Sequence, residues 1–175
     1  MPNINDFKAK LAGGGARANQ FKVTLPFPGY AQVGGETEAM SFLCRATQLP
    51  GMEVGVVEVP FRGRILYLGG DRTFAEWTVE ILNDTNFLIR NAMERWSNGI
   101  NNVTDAEGLT NPADYQADAF IDQLDRNGTT IKSYTLRGCF PTTIGDIGLN
   151  FDQTTAIETF SVNFRYQYFE TNTTT

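Results

Sequence analysis

Histidine is absent from this chain of 175 residues. That absence removes the commonest metal ligand and the commonest general base together. Cysteine is scarce, with two residues, Cys44 and Cys139, both inside stretches that read as strands. They are expected to be buried thiols of a reducing compartment, with a structural disulfide the lesser option. A serine or cysteine nucleophile would need another base, and neither cysteine has one beside it in sequence. No apolar run approaches the roughly 20 residues that a membrane-crossing helix needs, so no membrane insertion is expected. Residues 1–8 lack a basic region followed by an apolar one, so no signal peptide is expected. Positive charge is also short. The 14 basic residues stand against 20 acidic ones, for a net charge of -6. Such a balance suits plain solubility and is a poor basis for gripping nucleic acid by its phosphates.

Aromatic residues, by contrast, are plentiful. A hydrophobic content of 41% with 13 phenylalanines argues for one folded domain over 1–175, large enough to hold a core without disulfides or metals. The densest stretch lies near the end, from Phe160 to Phe169. Side chains alternate along a strand, which places Phe160, Val162, Phe164, Tyr166 and Tyr168 on one face. Ser161, Asn163, Arg165 and Gln167 take the other. Ten residues reach about 33 Å as a strand, longer than most. A half-wet strand of that length is best stabilised inside a heavily paired antiparallel sheet.

Residues 1–19 read as a flexible arm, with an amphipathic stretch from Phe7 to Leu11 ending at Gly13-Gly14-Gly15. Glycine triplets resemble phosphate loops, but no Gly-Lys-Ser or Gly-Lys-Thr follows, so a mobile hinge is expected. Phe21, Val23 and Leu25 alternate with polar residues in a first strand closed by Pro26. Residues 27–39 read as a loop or ragged hairpin, and 41–49 as a second strand stopped by Pro50-Gly51. Val54, Val56, Val57 and Val59 then form a strand fenced by glycine and proline, followed by a strand over 61–68 that is apolar on both faces. Such an edge either folds back over its own core or pairs with another subunit. Gly69-Gly70-Asp71-Arg72-Thr73-Phe74 reads as a turn. In it, Asp71 and Arg72 act as a clamp, the aspartate capping local N–H groups and the arginine suited to bridging a carboxylate.

Trp77, Val79 and Ile81 share the inner face of the next strand. Asn83 or Asp84 caps a helix over 85–98 in which Ile89, Ala92, Met93 and Trp96 form one buried stripe, and Gly99 is placed to end it. Residues 100–115 read as a polar surface loop. Residues 119–125 and 130–140 form a hairpin around Arg126-Asn127-Gly128. Residues 141–145 turn the chain, Ile147, Leu149 and Phe151 mark a further strand, and 171–175 are expected to be disordered. The acidic residues Asp105, Glu107, Asp114, Asp118, Asp122 and Asp125 lack the spacing of a calcium loop and read as a solvated face.

The architecture that emerges is mainly β: an antiparallel β-sandwich or half-open β-barrel with one flanking α-helix, its sheet continued between subunits. Gly70-Asp71-Arg72-Thr73-Phe74, then Glu76-Trp77-Thr78-Val79 and Asn83-Asp84, resembles the tail tube protein of contractile-tail bacteriophages. Arg17 and Asn19 before Phe21, Cys44-Arg45-Ala46-Thr47 leading to Leu49-Pro50, Gly138-Cys139-Phe140-Pro141-Thr142 with Ile144-Gly145, and the aromatic final strand extend the resemblance over about 17–169. The 27–39 loop and the Asn/Thr-rich end are longer than that family's pattern. The resemblance implies hexameric rings stacked into a tube inside a contractile sheath, in the tail of a virion assembled in the bacterial cytoplasm. It implies as partners further copies of the chain, the sheath, baseplate and tail-terminator proteins, and a tape-measure protein in the lumen. DNA would pass without specific binding, and no enzymatic activity and no cofactor are implied. Subunit contacts are expected at Phe7, Leu11, Arg17, Val54, Val56, Val57, Val59, Arg62 and Arg64. The tube of a type VI secretion system or another phage-derived injection machine is the alternative. A monomeric β-domain that binds a ligand is the alternative of a different class.

Overall fold

The computed structural model describes residues 3–11 and 13–174. In chain order the elements are α1 (Ile4–Lys10), β1 (Phe21–Thr24), α2 (Glu36–Leu43), β2 (Cys44–Thr47), β3 (Met52–Phe61), β4 (Arg64–Phe74) and β5 (Trp77–Leu82). They continue with α3 (Leu88–Ile100), α4 (Pro112–Tyr115), β6 (Ala117–Leu124), β7 (Thr130–Ile144), β8 (Thr159–Arg165) and β9 (Tyr168–Thr171). Among the described residues a seven-stranded antiparallel sheet runs in the order β1-β6-β7-β8-β5-β2, with β9 continuing β8 along β7. Its two ends, β1 and β2, do not pair with each other, so the sheet stays open. The hairpin β3–β4 forms a separate two-stranded sheet.

The fifteen-residue strand β7 carries the architecture. Gly138, with φ +63°, sits in its middle, a backbone conformation that side chains with a Cβ rarely adopt. Its N–H donates to Asp118 Oδ1 at 3.0 Å, beside a register shift between Ala117 and Ala119 on β6. The inward face changes parity there: Leu136 is buried before the bend, Cys139 and Pro141 after it. The C-terminal strand follows β7 round the same bend. It is therefore interrupted at Tyr166 and Gln167, the latter still donating its N–H to Arg137 O at 2.9 Å. Unbroken alternation would bury Tyr168; instead Tyr168 is 47% exposed and Phe169 is 7% exposed.

Several local expectations give way to longer-range packing. The second strand is shorter than 41–49, because 36–43 is helical: Gly34 and Gly35, both with positive φ, turn the chain into α2, and Met40 packs into the core. Pro141 does not end β7; it lies at a register shift between Pro141 and Thr143, where the missing N–H is tolerated. Leu149 and Phe151 form no strand and stand exposed in the loop that joins β7 to β8. The 171–174 end bonds to β7 and within itself. Lys132 Nζ donates to Thr173 Oγ1 at 2.7 Å and Thr171 N–H to Thr174 Oγ1 at 2.8 Å, while Thr175 lies outside the described residues. Gly99 continues α3 and does not terminate it. A Cβ there would collide with the Tyr30 ring, so close packing is what requires glycine.

The helix α3 covers the core as its periodicity predicts, with Ile89, Ala92, Met93 and Trp96 buried. Asp84 Oδ1 accepts from the Leu88 N–H at 2.9 Å, satisfying a free donor of the first turn. Trp96 meets Phe164 with ring centroids 6.1 Å apart and Phe27 at 5.7 Å. Trp77 also meets Phe164, with ring centroids 5.2 Å apart and the planes tilted by 36°.

One carboxylate ties the 26–36 loop to this helix. The Glu36 side chain is fully buried. It accepts from the Val33 N–H at 2.6 Å and the Gly34 N–H at 2.8 Å, and pairs with Arg95 at 3.3 Å. Burial pushes its pKa up, but backbone hydrogen bonds from Val33, Glu36 itself and Gly34, with the Arg95 charge, outweigh burial and leave it below the ordinary 4.5. A depressed folded-state pKa gives stability that is present above the unfolded value and lost as pH falls through the folded one. Glu36→Gln is therefore expected to cost about 1–3 kcal/mol at neutral pH. It should also flatten the loss of stability below pH 4.5. Thermal unfolding across a pH series checks this, and an unchanged acid limb would contradict it.

Candidate subunit interface

The hairpin β3–β4 has the backbone chemistry of a regular, stable turn. Arg62 and Gly63, at φ +47° and +82°, form a two-residue loop whose left-handed pair matches strand twist. Ten valine-rich residues pair with eleven from Met52↔Phe74 to Phe61↔Arg64, shifting register once between Val54 and Val56. At that shift Gly70 passes so close to Gly55 that an added Cβ would lie 3.1 Å from the Gly55 carbonyl oxygen. One face therefore carries the cross-strand pairs Val57–Leu68 and Val59–Leu66 with Phe61. The other carries Val56, Glu58–Tyr67 and Pro60–Ile65.

Neither face is covered. Every residue of β3 is exposed, and β4 is exposed except at Gly70 and Phe74; Val56 is 64% and Phe61 67% accessible. A two-stranded hairpin alone in water is marginally stable at best, and apolar surface of this extent marks an interaction site. The hairpin does not fold back over the chain's own core.

The other residues expected at contacts are placed in two groups. Val54, Val56, Val57 and Val59 line β3, with Arg62 at its turn and Arg64 opening β4. The Arg62 guanidinium sits over the Phe61 ring, 5.4 Å from its centroid. Phe7 and Leu11 lie on or just after α1, which buries no residue. This arm meets the body at β6, where the Arg17 carbonyl accepts from Gln123 Nε2 at 2.7 Å. Hairpin and arm thus leave from opposite ends of the strand order. Asp71 and Arg72 do not form a turn clamp: both stand within β4, and neither side chain has a polar partner among the described residues. The bidentate clamp belongs to Arg137, which bridges Asp118 at 2.6 Å and Glu170 at 2.9 Å. Leu66 and Leu68 belong to the exposed face as much as the valines do. Their signal was an apolar run on both faces, which marked the strand without telling which strand of the pair to choose.

No reactive chemistry gathers at this surface. Burial pushes both thiols, Cys44 and Cys139, up to about 12, so they stay protonated, and both are free. Among the described residues no group of three or more His, Cys, Asp or Glu is arranged to hold a metal ion. No helix among them is long and apolar enough to cross a membrane. What the surface offers is extended backbone and apolar side chains.

Residues 16–172 match the family described as phage tail tube protein. The chain belongs to the phage tail tube protein family. It is 30% identical over 168 residues to the tail tube protein of Serratia phage KSP90, covering 95% of each chain. It is 31% identical over 168 residues to the tail tube protein gp19 of Enterobacteria phage T4, covering 93% of this chain and 96% of the relative. Among solved structures, the fold matches a chain of the anti-feeding prophage tube-terminating cap with a TM-score of 0.64 at 16% identity, over 90% and 91% of the two chains. It matches a chain of the sheath-tube complex of an extracellular contractile injection system with a TM-score of 0.60 at 12% identity, over 94% and 96%. At those identities the structural likeness establishes the fold, while the sequence relatives establish the family. As a tail tube protein the chain is a structural component, not an enzyme.

Proposed function

We propose that the protein is the subunit of a contractile phage tail tube, in which hexameric rings stack into the conduit for genome ejection. The observation that carries this reading is the uncovered hairpin β3–β4, which supplies a neighbour with apolar faces and two unpaired strand edges. The open edges β1 and β2 supply further pairing sites. A sheet carried from subunit to subunit closes the ring, and closure removes edges that would otherwise aggregate. Around the tube the partners are the sheath, baseplate and tail-terminator proteins, with a tape-measure protein in the lumen. The place of action is the virion tail, assembled in the host cytoplasm. Negative-stain microscopy of the purified protein tests the assignment: rings or tubes about one ring wide are expected, and a uniformly monomeric protein at high concentration would overturn it.

The bore has a mechanical task, to let DNA slide without holding it. Phosphate neutralisation needs several convergent free cations. Here Arg45, Arg90, Arg95, Arg137 and Arg165 are each paired with a carboxylate, while among the described residues Arg62, Arg64 and Arg72 of the hairpin are not. The pairing of Arg165 with Glu76 at 3.0 Å weakens any cluster it would form with Arg62 and Arg64. Assembled tubes titrated with labelled duplex DNA near physiological salt should show negligible affinity. Micromolar binding that falls steeply with salt would show a basic lumen and contradict the low-friction conduit.

A further inference from the structure

Among the apolar residues left uncovered outside the hairpin, two segments lie at opposite ends of β7. The first is α1, where Ile4 and Phe7 are about two-thirds exposed. The arm joins the body at the β6–β7 turn: Leu124 N–H donates to Gln20 O at 2.9 Å, and a Cβ on Gly14 would lie 3.8 Å from the Arg126 guanidinium. The second is the 145–158 loop, whose Leu149 and Phe151 are the most exposed of its apolar residues. Its stems are pinned. Gly145 N–H donates to Ser161 O at 2.7 Å, Arg90 donates to the Gly145 carbonyl, and Asn83 Nδ2 donates to Glu158 Oε2 at 2.9 Å. Its tip makes local turn bonds, from Asp152 and Gln153 to Asn150. The whole of β7, running from Thr130 to Ile144, separates the two segments, a contour of about 45 to 50 Å.

Their charges are complementary. In a chain of net charge -6, residues 3–19 carry Lys8, Lys10 and Arg17 against Asp6 alone, whereas 145–158 carries Asp146, Asp152 and Glu158 with no basic residue. Two complementary patches held at opposite ends of one strand suit a head-to-tail contact between copies, which propagates without closing.

We propose that the N-terminal arm of one subunit docks on the 145–158 loop of a second copy in the adjoining ring, with Ile4 and Phe7 against Leu149 and Phe151 and Lys8 and Lys10 facing Asp146 and Asp152. This rests on the tube reading above and specifies which surface of the stacked subunit receives the arm. The contact is apolar at its centre and ionic at its rim, so salt weakens tube elongation more than ring formation.

Engineered cysteines test the pairing in the full-length protein. A chain carrying both Phe7→Cys and Phe151→Cys should give a disulfide-linked ladder of copies on mild oxidation. Each single variant should stay monomeric on a non-reducing gel, as should the wild type with its two protonated thiols. Lys8→Glu with Lys10→Glu should raise the protein concentration needed for tubes about tenfold, and adding Asp146→Lys with Asp152→Lys should restore it. Dimers from Phe7→Cys alone would mean arm-to-arm contact and overturn the proposal. Tubes that form normally yet give no ladder, or a charge reversal with no effect, would overturn it while leaving the tube reading intact. A wild type that forms neither rings nor tubes would remove that reading and this one together.

Discussion

Val57→Asp is expected to yield a folded monomer that no longer assembles. Val57 faces Leu68 across the hairpin and is about half exposed, so its side chain contributes nothing to the core of the isolated chain. In a ring the same position would be covered. Covering valine is worth about 1.5–3 kcal/mol, and an aspartate covered without a partner adds a desolvation cost of several kcal/mol. A loss of about 4 kcal/mol per contact weakens each association roughly a thousandfold, enough to dissolve a ring at micromolar protein. Analytical ultracentrifugation should show one monomeric species, with thermal unfolding within about 2 °C of a monomeric reference because surface changes rarely exceed ~0.5 kcal/mol. Val57→Ile, which keeps shape and polarity, should assemble normally. A Val57→Asp protein that polymerises like the wild type would show that the hairpin face is not the interface, and one that unfolds would place the hairpin in the core.

Trp96→Ala should be the most destabilising single change in the body. The indole is completely buried, lies against Phe27 and Phe164, and donates Nε1–H to the Tyr115 carbonyl at 2.6 Å. It joins α3 to the sheet below and to α4 beside it. Truncating a buried tryptophan costs about 3–5 kcal/mol through lost packing and the cavity left behind. For a chain of this length that corresponds to a fall of roughly 6–20 °C in Tm. Trp96→Phe keeps most of the packing and leaves the Tyr115 carbonyl without its donor, at a cost of about 1–3 kcal/mol. Calorimetry in the Val57→Asp background separates unfolding from disassembly. A fall of less than about 2 °C for Trp96→Ala would mean that the core repacks around the gap.

Where a segment's environment follows from its own periodicity, sequence and structure coincide. The stripe Ile89, Ala92, Met93, Trp96 declares a helix with one buried face, and Trp77, Val79, Ile81 a strand with one, because side-chain direction repeats every 3.6 or 2 residues whatever lies beyond. Asp125 with Asn127-Gly128 likewise makes its turn from local groups, Asp125 Oδ1 accepting from the Asn127 and Thr129 N–H groups at 2.7 and 2.8 Å. The uncovered valine strand was legible for the same reason, as a strand former without an evident core. The 36–43 helix was not. Its glycines look like a loop, and its burial depends on partners far off in sequence, the core around Met40 and Arg95, 59 residues from Glu36.

The family, the β-rich class, the buried face of α3 and β5, and an apolar edge in need of company can all be read from the residues alone. Each rests on side chains within a few residues of one another, or on several short patterns recurring in order. The bend of β7 at Gly138, which carries β8 and β9 round with it and reverses the faces of Tyr168 and Phe169, emerges once the strands have paired. Pairing likewise leaves β1 and β2 without each other and sets the arm and the 145–158 loop at opposite ends of β7. A left-handed glycine and its strand partners act jointly over more than twenty residues of separation, and no local periodicity records which partner a strand will find.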